Sequence, residues 1–178
     1  MESLLEYRIP VKGLSTGMHN FEYQVGSQFF SNFEHAPIKE ADLKVEMRLE
    51  KKPSLYVLEF DFSGSVRTNC DRCLAEIDLP IAGKDRLLVK ISEKTESEDP
   101  EVVYLHPEAQ KLEVAEYIYE FIVLAIPMIK VYDCEEEAEP ACDFDMLDKL
   151  DYSDDEEDQA DSGNNPIWDE LKKFNSKQ

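Results

Sequence analysis

Residues 43–50 read LKVEMRLE, and this octapeptide decides the fold class. Leu43, Val45, Met47 and Leu49 share one parity while Lys44, Glu46, Arg48 and Glu50 share the other. Side chains alternate across a strand, so the pattern predicts a half-buried strand of an antiparallel sheet. Lys51–Ser54, with Pro53, supplies a turn. Leu55–Val66 then reads as a long strand with Tyr56, Leu58, Phe60 and Phe62 on one side. Gly64 interrupts it as a bulge or bend, because it has no side chain to pack. On the N-terminal side, Glu6–Val11 and Phe21–Val25 form short strand candidates. On the C-terminal side, Leu74–Leu79 and Leu87–Ile91 are two further candidates around a Pro80–Gly83 corner, and Val102–Leu105 is another.

One segment carries helical periodicity. Lys111–Ile126 places Leu112, Ala115, Ile118, Ile122 and Ile126 on an apolar face, with Glu113, Glu116 and Glu120 along a charged stripe. Pro127 ends it, lacking a backbone donor and clashing with the preceding turn. The expected fold is therefore α+β: an antiparallel sheet, open or closed into a barrel, packed with one main helix.

The chain has 178 residues and a formal net charge of −21. Residues 133–178 hold 17 acidic and 4 basic residues, a net of −13. This divides the chain into a globular body, 1–132, and an acidic tail, 133–178. Asp151–Gly163 has too few apolar groups to offset its ordering entropy and is expected to be disordered. The tail ends in an amphipathic segment, Asn164–Phe174, in which Pro166 opens a turn of helix and Ile167, Trp168, Leu171 and Phe174 form a stripe. It is a candidate partner-binding element.

Several function classes fall away. The start carries acid where a signal peptide carries positive charge, and the longest apolar run, Phe121–Ile129, is far short of the roughly 20 residues of a membrane span. A cytoplasmic location is expected, with neither a membrane nor DNA as partner. Net acidity opposes non-specific nucleic-acid binding, which depends on Lys and Arg displacing counterions. Basic proteins are the natural electrostatic partners. No catalytic constellation is present: His19, His35 and His106 lie in turn-like contexts, and the glutamate stripe reads as a solvated helix face.

Two local features could carry chemistry. Cys70-Asp71-Arg72-Cys73 has the spacing that lets two thiolates reach one tetrahedral ion. Cys134 and Cys142 could complete a four-sulfur zinc site, although their separation exceeds the usual structural-zinc spacing. A redox pair and two simple reduced thiols are the other readings of the same motif. Arg67, Arg72, Lys84 and Arg86 could form a basic patch that touches phosphates, or could be the solvent face of strands.

The order of features resembles the YceD family, the bacterial large ribosomal RNA subunit accumulation proteins. The resemblance rests on Cys70-Asp71-Arg72-Cys73-Leu74 after a long strand, the helix running into Ile126-Pro127, and Val131-Tyr132-Asp133-Cys134. Asn165-Pro166-Ile167-Trp168 with Leu171 and Lys172–Lys173 completes it. It implies a small cytoplasmic α+β protein that is not an enzyme and is linked to accumulation of large-subunit ribosomal RNA. Members commonly carry C-terminal cysteines around a Gly-rich segment; here Cys134 and Cys142 stand amid Glu135–Glu139. The function expected is a non-enzymatic assembly or rRNA-stability factor that binds a basic ribosomal protein or a large-subunit precursor particle. The alternative is a zinc-stabilised adaptor not directly tied to the ribosome. The sequence carries no signal of oligomeric state.

Overall fold

The computed structural model describes residues 2–93, 102–132 and 141–157. The chain falls into two compact units, the first ending at Cys142 and the second beginning at Asp143. In the first, a 3-10 helix (Glu2–Tyr7) leads into β1 (Arg8–Ile9), followed by β2 (Gly17–Gly26) and a single helical turn, α1 (Ser27–Phe30). Then come β3 (Glu40–Lys51), β4 (Leu55–Asn69), β5 (Glu76–Ile91), β6 (Val102–Leu105), β7 (Leu112–Glu113) and α2 (Ala115–Leu124). The second unit contains α3 (Phe144–Glu157).

Five strands form one sheet in the order β2-β3-β4-β5-β6, and β1 pairs with β7 in a separate two-stranded ladder. The register places the apolar parity of LKVEMRLE opposite matching residues: Leu49 faces Leu58, Met47 faces Phe60 and Val45 faces Phe62. All six are buried, while Lys44, Glu46 and Arg48 on the other parity are exposed. Ile118 and Ile122 of α2 join this core, as do Phe29 and Phe30 of α1. The Phe121 ring meets Phe60 at 5.2 Å, and Tyr119 stacks on Phe33 at 4.1 Å. Fully burying one such large side chain contributes about 1.5–3 kcal/mol, so the covered sheet face is the main source of stability.

The structure corrects four expectations. The sheet is mixed, since β6 runs parallel to β5. It is open, with β2 and β6 as its end strands, so it does not close into a barrel. The two strands expected around Pro80–Gly83 are one 16-residue strand. Pro80 is tolerated because β6 pairs only with Leu88–Ile91, so beside Pro80 the strand has β4 on one side alone and no second ladder bond is lost. Gly83 is covered by Phe62, whose ring would lie 2.4 Å from an added Cβ.

The main helix begins at Ala115, four residues later than its periodicity suggests. Leu112 and Glu113 pair instead with Ile9 and Arg8, reinforced by an Arg8–Glu113 ion pair at 2.9 Å. The Val114 N–H donates to the Tyr7 carbonyl at 3.0 Å, which fixes where the helix starts. In the acidic region the described residues form α3 through Glu157, and residues 158–178 lie outside the described residues. Asp143 caps that helix, its Oδ1 accepting from the Met146 N–H at 3.1 Å, which satisfies an otherwise orphaned donor.

Candidate functional site

The Cys70–Cys73 turn closes β4 onto β5. The Cys70 N–H donates to the Ala75 carbonyl at 2.8 Å, and the Leu74 N–H donates to the Cys70 carbonyl at 3.0 Å. Leu74 takes a positive φ of 63°, a left-handed conformation uncommon outside glycine, and Asn69 Nδ2 bonds its carbonyl at 3.0 Å. Both cysteines are free thiols and only 1% exposed.

A second segment docks on this turn. After α2 the chain returns past it, and the Asp71 N–H donates to the Lys130 carbonyl at 2.7 Å. In return Asp71 Oδ2 accepts from the Lys130 N–H at 2.7 Å, and Lys130 Nζ lies 3.2 Å from Asp71 Oδ1. These donors hold the Asp71 carboxyl below its usual range, the Lys130 N–H being the main cause.

Two residues further on, the Tyr132 N–H points at the Cys70 sulfur. Burial pushes the Cys70 thiol up, but N–H donors from Tyr132, Cys73 and Arg72, with the Cys73 thiol, outweigh it and bring its pKa to about 7. Backbone N–H groups converging on one atom form an anion-stabilising concavity, here around a sulfur. The arrangement favours a thiolate at Cys70, the form that reacts and binds soft metals.

As a metal site, the turn supplies two ligands of the four that structural zinc takes. Cys134 lies outside the described residues. Cys142 is engaged in a disulfide, so its sulfur is available to a metal only after reduction. Among the described residues, no group of three or more His, Cys, Asp or Glu side chains is arranged to hold a metal ion.

The arginines do not gather at the turn. Arg67 lies on β4 between carboxylates of both neighbouring strands, with Nε and Nη2 each 3.1 Å from Asp78 and Nη1 3.8 Å from Glu40. Arg86 on β5 is opposite Glu59, eight positions along β4 from Arg67, which separates the two by roughly 25 Å of strand. Lys84 pairs with Asp61, and Arg72 is exposed within the turn. Pro166, Ile167, Trp168 and Leu171 lie outside the described residues.

The wider outer face of the sheet continues the pattern. Arg48 lies 3.2 Å from Glu59, and Lys44 lies 2.7 Å from Glu46 and 3.5 Å from Glu22. Opposite charges along and across the strands thus neutralise these cations locally. The three histidines are dispersed: His19 Nε2 meets the Ser15 carbonyl at 2.8 Å, His106 Nδ1 accepts from the Glu108 N–H, and His35 is exposed. Glu113 is used by Arg8, and Glu116 and Glu120 are exposed on α2.

The sequence gives no hint of the Tyr132 and Lys130 contacts to the turn, because they join positions about 60 residues apart. Among the described residues no helix is long and apolar enough to cross a membrane. The family model for the large ribosomal RNA subunit accumulation protein YceD matches residues 58–175, about two thirds of the chain. No curated protein and no solved structure matches.

Proposed function

We infer the function from one premise: the chain belongs to the YceD family of large ribosomal RNA subunit accumulation proteins. In our reading it supports large-subunit rRNA accumulation without catalysis, by binding a basic ribosomal protein or a precursor particle that contains one. The observation that carries this is electrostatic. A net charge of −21 is combined with an outer sheet face on which Lys44, Arg48, Arg67 and Lys84 each meet a carboxylate. Such a surface offers little free positive potential to phosphates, whereas it complements a basic polypeptide.

A tagged pull-down from native lysate, split with and without RNase, tests the reading. A basic large-subunit protein retained after RNase supports it. Loss of every ribosomal component after RNase shifts recognition to an RNA-held particle. Deleting 133–178 is expected to abolish the association, and retention would place the binding surface on the body.

A second reading, a zinc-stabilised adaptor acting away from the ribosome, is favoured by the N–H donors converging on Cys70. Zinc at Cys70 and Cys73, completed by Cys134 and Cys142, would clamp the turn. Elemental analysis of protein purified under reduction without chelator decides it. Less than about half a zinc per chain sinks the idea for a one-ion site.

A further inference from the structure

A cleft of about 590 Å³ opens between the N-terminal 3-10 helix and the end of β2, far larger than a single-water void. Leu5, Glu6 and Tyr7 line one side, and Gln24, Ser27 and Phe29 the other. Its volume lies in the range of ligand sites. Among the described residues no lysine or arginine lines it, so these residues offer an anion no counter-charge.

Acceptors dominate the site. Glu6 brings an exposed carboxylate. Among the described residues strand β2 is an end strand paired only with β3, so one edge keeps carbonyl groups outside the ladder. One of these, the Gln24 carbonyl, takes only a long 3.4 Å bond from the Tyr7 hydroxyl. The Gln24 amide nitrogen is committed to Asp42 Oδ1 at 2.7 Å, so it is not free to donate into the cleft.

Behind the lining lies an unsatisfied group. Tyr23 stacks on Tyr7 with ring centroids 4.9 Å apart. It is 7% exposed, and its hydroxyl has no hydrogen-bond partner among the described residues. Buried polar atoms are nearly always paired, so this hydroxyl is an exception, and it stands behind the lining rather than in it. The Glu6 charge acts on both phenols, which puts carboxylate and hydroxyls within one electrostatic neighbourhood.

We propose that this cleft binds a guanidinium side chain, an arginine presented by a basic protein. Five donors in a planar fork can engage the Glu6 carboxylate and the free edge carbonyls together, which a compact ammonium cannot. The inference deepens the basic-partner reading above by naming the contact that would recognise that partner.

The test uses the full-length protein, isotope-labelled, titrated with N-acetyl-arginine amide and followed by amide chemical shifts. Saturable shifts at Gln24, Ser27 and Gln28 are expected, with a much weaker response to N-acetyl-lysine amide and none to the neutral citrulline analogue. Glu6→Gln should weaken arginine amide binding by about tenfold, the scale of one lost charge-assisted hydrogen bond. Tyr23→Phe, behind the lining, keeps the ring stack and should leave the affinity within about twofold. Thermal unfolding of both variants confirms that they fold. No saturable shift, or an equal response to the lysine or citrulline compound, overturns the proposal. Retention of a basic protein in the RNase-treated pull-down alongside no shift would leave the basic-partner reading standing and remove only this cleft.

Discussion

Gly64→Ala tests whether the close approach of β3 to β4 is a requirement of this sheet. Gly64 has a φ of +152°, a region that side-chain-bearing residues rarely adopt. It pairs with Leu43 of β3 on one side and Ile81 of β5 on the other. An added Cβ would lie 2.1 Å from the Asp42 carbonyl oxygen and 2.8 Å from the Leu43 Cα. Both obstacles are backbone, so β3 must move by about 1 Å to restore van der Waals contact. Strained backbone costs about 1–3 kcal/mol and overpacking costs about the same, giving a total of about 2–6 kcal/mol. With a urea m-value of about 1.5–2 kcal/mol/M, a loss of 3 kcal/mol lowers the midpoint by about 1.5–2 M. Urea unfolding followed by circular dichroism reads this directly. Gly13→Ala is the matched control: no atom lies within 4 Å of its added Cβ, and it should be neutral or stabilising by up to about 1 kcal/mol. A Gly64→Ala midpoint indistinguishable from wild type, with an unchanged m-value, would refute the close-approach argument.

The depressed Cys70 pKa has a definite sign in stability. The folded state favours the thiolate, so Cys70 stabilisation is present above the unfolded thiol pKa and is lost as pH falls through about 7. Stability should therefore rise between about pH 7 and pH 9 in wild type, and this contribution should vanish in Cys70→Ser; equal slopes in urea unfolding would refute it. Asp71→Ala removes the acceptor for the Lys130 N–H and should speed hydrogen exchange at Lys130 and Tyr132 while raising the Cys70 titration midpoint, read by thiolate absorbance. Unchanged exchange would show that the segment is held by something other than the turn. Tyr23→Phe deletes a buried hydroxyl with no partner, so in ligand-free protein it should be neutral or stabilise by up to about 1 kcal/mol, whereas a marked loss would reveal a hidden partner.

The elements that alternation identifies are those whose faces differ. Strand β3 is readable because every second residue from Leu43 to Leu49 is buried and the residues between are exposed. Strand β5 is not, because Pro80 and Gly83 oppose strand formation and only the long ladder with β4 and the ring of Phe62 overrule them. The helix periodicity of Lys111–Ile126 correctly marks Ala115, Ile118 and Ile122 as buried. It fails at Leu112, which the N-terminal β1 captures. Composition marks where the acidic run lies but not the helix that, capped at Asp143, extends into it through Glu157. The Cys70–Cys73 spacing is a local signal and was visible. The donor from Tyr132 and the cleft joining Glu6 to Gln24 arise from tertiary contacts that no local period encodes.

Charge and shape divide their work differently along this chain, and that division can be separated kinetically. Residues 133–178 carry a net of −13, while Arg48 and Arg67 of the sheet are matched by cross-strand carboxylates. In the proposed function, the unmatched charge acts at long range, over about a Debye length of 8 Å at physiological salt, and so governs encounter with a basic partner. A single arginine in the Glu6 cleft acts only on contact and so governs how long the partner stays. Raising salt should therefore slow association chiefly through 133–178, whereas Glu6→Gln should act chiefly on dissociation, because interface contacts are expressed mainly in the off-rate. A variant lacking 133–178 that keeps the wild-type salt dependence of association would show that encounter is steered by the body, and the acidic region would lose its place in the mechanism.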